Sequence, residues 1–106
     1  MQDTEKMSPD ELKMIRDSVS FVARRHNGEY EIWHQKGMSL LKKAGWQNGD
    51  EEPSLIYVIG IGEKEKYVFV SENHGRSVTY VIASKEGGLQ MGIATWHEVL
   101  AGIGVR

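Results

Sequence analysis

Residues 55–84 read LIYVIGIGEKEKYVFVSENHGRSVTYVIAS, and this stretch decides the fold of the chain. It contains three runs rich in β-branched and aromatic residues, LIYVIGIG, YVFVSE and SVTYVIAS, which are typical of β-strands. Two polar segments, EKEK and NHGR, separate these runs. Connections of about three to five residues are too short for a parallel crossover, so neighbouring strands must be antiparallel. The stretch therefore predicts a meander.

Both faces of this predicted sheet are apolar, because side chains alternate between the faces of a strand and both alternating sets are largely hydrophobic. An antiparallel sheet with one solvent-exposed face would instead alternate apolar and polar residues along each strand. We therefore expect cover on both faces, from helices or from a partner. One expected face consists of Tyr57, Ile59, Ile61, Tyr67, Phe69, Val78, Tyr80 and Ile82, and the other of Ile56, Val58, Val68, Val70, Thr79, Val81 and Ala83.

The chain before the meander begins with a strong helix signal. Residues 8–11, SPDE, combine the spacing of a capping box with a proline at the first helical position. Apolar residues then recur at intervals of three and four as far as Val22. Residues 24–26, RRH, suit the last turn of a helix, and Asn27-Gly28 suits its end. The sequence predicts one helix over this whole segment.

Two further elements are predicted before the meander. Residues 29–35, EYEIWHQ, alternate as a strand with one polar face does. Residues 37–44 have helical spacing, and Gly45 followed by Trp46 is typical of a helix end. Residues 47–53, QNGDEEP, then predict a loop.

After the meander, the KEGG segment of residues 85–88 leads into LQMGI, which predicts a fourth meander strand over residues 89–93. Residues 95–98, TWHE, repeat the capping-box spacing and predict a short helix that ends near Gly102 or Gly104. The chain is thus expected to form one α+β domain over residues 8–106, with a four- to five-stranded antiparallel sheet and three helices. Residues 1–7 are expected to form a flexible N-terminal tail.

Composition excludes several classes of protein. The 106 residues contain no cysteine, which excludes disulfides, thiolate catalysis and cysteine-ligated metals. The net charge is -2, with 13 basic against 15 acidic residues, so nucleic acid is an unlikely partner. No apolar run approaches the length of a membrane span, and the polar N-terminus lacks the pattern of a signal peptide. We expect a cytoplasmic protein that does not act at a membrane.

Several carboxylates and aromatic residues suggest a surface that binds another protein. An acidic run could complement a basic partner and block the site that the partner's substrate phosphates would occupy. Tyrosine and tryptophan rings dominate many binding interfaces, and we expect two of the rings in this chain to lie at the surface. The candidate binding residues are Asp50, Glu51, Glu52, Glu29, Glu31, Tyr30 and Trp33.

An alternative hypothesis is a small metal-free enzyme that cleaves a phosphodiester or an ester. His74 would act as general base, Arg76 would stabilise the developing negative charge, and Tyr80 on the following strand would assist. The same turn residues equally suit a simple hairpin connection. The histidine spacings match no metal motif, and the glycines of residues 60–62 lack the third glycine of a dinucleotide-binding loop, so no metal and no cofactor are predicted.

The sequence therefore leaves three hypotheses open. The first is a non-enzymatic cytoplasmic binding protein, of the inhibitor or immunity type, that neutralises a partner protein, for which a basic protein is one option. The second is the small hydrolase or ribonuclease-like enzyme. The third is a homodimeric scaffold joined through an exposed sheet face or edge strand.

Overall fold

The computed structural model describes residues 8–22, 28–47 and 52–102. Residues 1–7 of the expected tail, the basic segment 24–26, and Asp50 and Glu51 of the acidic run lie outside these described residues. The elements in chain order are α1 (Pro9–Ser18), β1 (Val19–Val22), α2 (Gly28–Lys43), β2 (Ser54–Ile59), a 3₁₀ turn (Gly62–Lys64), β3 (Lys66–His74), β4 (Ser77–Ser84), β5 (Leu89–Thr95) and α3 (Trp96–Gly102).

The strands form one antiparallel sheet in the order β1-β2-β3-β4-β5, so each strand pairs with its neighbours in the sequence. The predicted meander and its additional strand are thereby confirmed. The α+β class and the antiparallel sheet are confirmed as well. Among the described residues, no helix is both long and apolar enough to cross a membrane.

Helices cover both faces of the sheet, as the two apolar faces predict. On one face, Ile15 of α1 and Val99 of α3 join a buried cluster with residues of β2, β3 and β4. On the other face, Met38 and Leu41 of α2 join a second buried cluster. The molecule thus has three layers, with α1 and α3 on one side of the sheet and α2 on the other.

The predicted assignment of β3 to these faces is wrong. Tyr67 pairs with Ala83, and Phe69 pairs with Val81, so both rings lie on the α2 side. The register of the hairpins, which follows from the turns, sets this arrangement and cannot be read from alternation within one strand. Ile61 leaves the sheet altogether and is 82 % exposed beside the 3₁₀ turn.

The predicted single helix over residues 8–28 is also wrong. The capping box is present, with Ser8 Oγ accepting from the Glu11 N–H at 3.1 Å and Glu11 Oε1 accepting from the Ser8 N–H at 2.9 Å. The helix ends at Ser18, however, and Val19–Val22 form a strand that pairs with β2. β-branched residues favour an extended backbone, and the pairing satisfies their backbone groups.

The predicted strand over residues 29–35 is wrong, because these residues form the first half of α2. The predicted helix over residues 37–44 is its second half. The predicted helix end is confirmed: Gly45 has a φ of 97°, and the Trp46 N–H donates to the Leu41 carbonyl oxygen at 2.9 Å. At the other end of the chain, Thr95 and Glu98 form the predicted capping box of α3.

Candidate functional site

Two buried side chains fix the N-terminal half of α2 to the start of β2. Tyr30 and His34 are one helical turn apart, so both point from α2 towards the sheet. The Tyr30 hydroxyl accepts from the Leu55 N–H at 3.1 Å, and His34 Nε2 lies 3.0 Å from the Pro53 carbonyl oxygen. The segment that leads into β2 is therefore held beside the first two turns of the helix.

These hydrogen bonds hold the segment that carries Glu52 beside the N-terminal half of α2, which carries two further carboxylates. Glu29 and Glu31 are exposed in the first turn of α2. Glu52 is exposed immediately before Pro53, which His34 anchors. We call Glu29, Glu31 and Glu52 the acidic surface. Three of the five predicted acidic residues are thus exposed on α2 or on the segment held beside it, and the other two lie outside the described residues.

An exposed isoleucine, Ile32, follows the two carboxylates in the first turn of α2. The side chain of Ile32 is 59 % exposed, one of the few large apolar side chains in the described residues that face solvent. It follows Glu31 directly and is one helical turn from Glu29. Sequence alternation placed Ile32 with Tyr30 and His34, but in a helix the position between these two residues points outward. The helical period of about 3.6 residues would have predicted the exposure of Ile32.

The two aromatic candidates, Tyr30 and Trp33, differ in how far they are buried. Tyr30 is 5 % exposed, so the expectation of a surface ring is wrong for this residue. Its hydroxyl accepts a hydrogen bond from the Leu55 N–H inside the fold. Trp33 is partly buried: its ring centroid lies 6.1 Å from that of Tyr67, and Lys36 Nζ lies 4.7 Å from the tryptophan ring centroid. Trp33 therefore borders the exposed side of α2 with a partly covered ring.

The residues of the predicted catalytic turn are not brought together. His74 Nε2 lies 3.0 Å from Thr79 Oγ1 and 3.4 Å from Glu72 Oε1, at the surface. Tyr80 is 1 % exposed and belongs to the buried cluster beneath α1 and α3. An irregularity in the β3–β4 pairing at Ser71 reverses the faces on which the last side chains of β3 lie. His74 is therefore on the same face of the sheet as Thr79, and Tyr80 is on the opposite face. Arg76 is exposed in the turn.

A groove of about 340 Å³ lies on the α1 side of the sheet. Its floor includes Ile15, Ile59 and Ile82, which are buried. Two lysines and two glutamates line it, so these side-chain charges cancel and select no ionic ligand. The remaining lining residues are Glu11, Met14, Ser18, Gly60, Lys64, Lys66, Glu86 and Gln90.

Two buried tyrosines have shifted acidities. Burial, together with the charge and hydrogen bond of Glu65, raises the pKa of Tyr67 to about 12. Burial also raises the pKa of Tyr57, whose hydroxyl has no hydrogen-bond partner among the described residues. Both shifts stabilise the neutral phenol, which is the opposite of what a tyrosine nucleophile or base requires. In the described ranges, no three histidine, aspartate or glutamate side chains are grouped to hold a metal ion.

Comparison with protein-family models, with curated proteins and with solved structures gives no significant match. Function is therefore inferred from the residues and their geometry.

Proposed function

We propose that this chain is a small, non-enzymatic cytoplasmic protein that binds another protein and neutralises it, as inhibitors and immunity proteins do. The contact would be made by the acidic surface together with Ile32. The partner would present a basic site with an apolar recess at its centre.

The observation that carries this proposal is the exposure of Ile32 among carboxylates. Ile32 is 59 % exposed, Glu29 and Glu31 precede it in the first turn of α2, and Glu52 lies on the adjoining segment. Protein interfaces combine an apolar centre, which supplies most of the binding energy, with a polar rim that excludes water. Ile32 would provide the centre, and the three carboxylates would provide the rim.

The negative charge of the acidic surface favours a basic partner. Carboxylates on one side of the chain attract a basic surface and accelerate the encounter, and they repel acidic proteins. A basic partner is a natural target because enzymes that act on nucleic acids use basic sites to hold phosphates. A protein that places carboxylates in such a site competes with the substrate.

The rigidity of the surface supports the same role. The hydrogen bonds of Tyr30 and His34 hold the two parts of the acidic surface together before any partner arrives. A preorganised surface loses less conformational freedom on binding. The hydrolase alternative gains no comparable support, because His74 and Tyr80 lie on opposite faces of the sheet.

The proposal is tested by capture from the native cell with the wild-type chain and three variants as bait. Ile32→Lys changes the centre of the surface, and Glu52→Lys changes its rim. Glu63→Lys is the matched control, because Glu63 is exposed on the 3₁₀ turn and the substitution changes the net charge as much as Glu52→Lys does. The expected result is a basic protein that wild type and Glu63→Lys retain and both other variants lose.

The captured protein is then purified and its association with the chain is measured at several salt concentrations. Glu52→Lys is expected to slow association and to weaken its dependence on salt, whereas Glu63→Lys leaves both close to wild type. Wild-type chain should also abolish the partner's own activity at equal molar amounts. Equal retention by all four baits, or a retained partner that stays fully active, would overturn the proposal.

A further inference from the structure

β5 forms one edge of the sheet. Within residues 8–22, 28–47 and 52–102 it pairs with β4 on one side and with no strand on the other. Its seven residues, LQMGIAT, include no charge and no proline. The opposite edge, β1, is four residues long. β5 is therefore the longer edge.

An edge strand of this kind is unusual in a monomer. The outer side of an edge strand presents backbone N–H and C=O groups that can pair with another chain. Proteins usually protect such edges with charged side chains, with proline, or by keeping the strand short. β5 has none of these protections, so its backbone is suited to pairing with a further strand.

The side chains of β5 add apolar surface beside this edge. Met91 lies opposite Val81, and Ile93 lies opposite Thr79, so both side chains are on the α2 side of the sheet. Met91 is 47 % exposed and Ile93 is half-buried. An additional strand next to β5 would cover both.

We propose that β5 pairs with β5 of a second copy of this chain, antiparallel, about a two-fold axis through Gly92. In this register Met91 of each copy lies opposite Ile93 of the other, which forms two apolar cross-strand pairs on one face. Gln90 then lies opposite Ala94. The two five-stranded sheets become one continuous sheet, and the longer edge of each copy disappears.

The self-complementarity of β5 is the reason for choosing a second copy as the occupant. Met91 and Ile93 lie one residue to either side of Gly92, so a two-fold axis through that glycine matches them to each other. The axis also places no charged side chain beside a like charge. The acidic surface is on the N-terminal half of α2, so this interface is independent of the proposed function and either can fail alone.

The first test is the mass of the full chain in solution, measured by sedimentation equilibrium from low to high micromolar concentration. A reversible dimer is expected. Met91→Lys should raise the dimer dissociation constant at least about tenfold, because the dimer carries the substitution twice. Met14→Lys is the matched control: Met14 is 50 % exposed, on α1, and the variant should dimerise as wild type does. Circular dichroism checks that both variants are folded.

The second test fixes the register by cross-linking. The chain has no cysteine, so a single introduced thiol can react only with its counterpart. Directly opposed residues of antiparallel strands have Cα atoms about 4.5–5.5 Å apart, which a disulfide can span. Gly92→Cys should form a covalent dimer on mild oxidation, and Met14→Cys should not.

A chain that stays monomeric at all concentrations would overturn the proposal. So would a dimer that is unaffected by Met91→Lys, or one in which Gly92→Cys and Met14→Cys cross-link equally. A monomer that instead binds an extended peptide along β5 would show that the edge is used by a different kind of partner.

Discussion

His34 Nε2 lies 3.0 Å from the carbonyl oxygen of Pro53, in the buried space between α2 and the start of β2. A carbonyl oxygen can only accept, so this ring nitrogen carries the hydrogen and donates it. The imidazole is stacked on Tyr30 and lies edge-on to Phe69. One side chain thus fills the core and fixes the position of the segment that carries Glu52.

We expect His34→Leu to lower the free energy of unfolding by about 1–3 kcal/mol, because the buried carbonyl oxygen of Pro53 loses its donor. The matched control is His74→Leu, which replaces an exposed histidine and should change stability by less than about 0.5 kcal/mol. Urea unfolding followed by tryptophan fluorescence measures both. Equal loss in the two variants would mean that the Pro53 hydrogen bond contributes nothing specific.

We expect Gly37→Ala to destabilise the protein although alanine is the better helix former. A Cβ at this position would lie 2.5 Å from Phe69 Cζ and 3.0 Å from Tyr67 Cδ2, and Phe69 is fully buried. The steric cost exceeds the gain in helix propensity, which gives a net loss of about 1–2 kcal/mol. The midpoint of urea unfolding measures this loss.

The control for that substitution is Gly28→Ala at the first residue of the same helix. An added Cβ at Gly28 meets no atom within 4 Å, so the unfolding midpoint should stay equal to that of wild type or rise slightly. A Gly37→Ala variant that is as stable as Gly28→Ala would show that α2 can move away from the sheet without cost.

The raised pKa of Tyr67 predicts a stability change at high pH. The phenol ionises near 10.0 when unfolded, whereas burial and Glu65 raise its folded pKa to about 12. Between these values the folded state holds a proton that the unfolded state has released, so this contribution to stability is complete below pH 10 and falls as the pH rises towards 12. Tyr67→Phe should make the decline of stability over this range less steep.

Urea unfolding at a series of alkaline pH values, with wild type and Tyr67→Phe in parallel, measures this effect. Phenolate absorbance of the folded protein should independently lose one late titration step in the variant. Identical pH slopes for the two proteins would contradict the assignment, because every other titrating group is unchanged between them.

We expect Ser8→Ala to cost about 1 kcal/mol of stability, because it removes the acceptor for the first turn of α1. The Glu11 carboxylate keeps its own hydrogen bonds, because Oε1 accepts from the backbone N–H of residue 8, which alanine retains, and Oε2 accepts from Gln90 Nε2 at 3.1 Å. Ser39→Ala is the control. Ser39 is exposed in the interior of α2, where alanine should raise stability by a few tenths of a kcal/mol. Thermal unfolding that shifts in the same direction for both variants would rule out a capping role.

The elements that the sequence predicted well have strong local signals. The capping boxes at Ser8 and Thr95, the glycine end of α2 at Gly45 and the turns of the meander all depend on residues a few positions apart. Their backbone conformations are set by chemistry that a short window contains. These elements are where the sequence and the structure agree.

The elements that were predicted wrongly lie where two periodicities fit the same residues. The run EYEIWHQ alternates as a strand does, yet Tyr30, His34, Met38 and Leu41 also recur as one helical face, and α2 buries that face. Conversely, Val19 and Val22 continue the spacing of α1 but pair with β2. Packing against the sheet decides such cases, and packing is not visible in seven residues.

The same limit applies to the candidate site. The acidic composition identified Glu29, Glu31 and Glu52, but only the hydrogen bonds of Tyr30 and His34 show that the segment with Glu52 is held beside the helix that carries the other two. The exposure of Ile32 followed from the helix that sequence alternation had hidden. The separation of His74 from Tyr80 depends on an irregular pairing at Ser71, which no pattern in the sequence predicts.

The sequential order of the strands has a consequence for how the chain acquires its structure. Three of the four pairings in the sheet, β2–β3, β3–β4 and β4–β5, join segments that are close along the chain, so these hairpins can form one after another with little loop-closure entropy. The packing of α1 against α3 is different: the Glu11–Gln90 hydrogen bond beside it joins residues 79 positions apart. We expect the β2–β5 meander to form early and rapidly, and the docking of these two helices to be the late step that completes the native state.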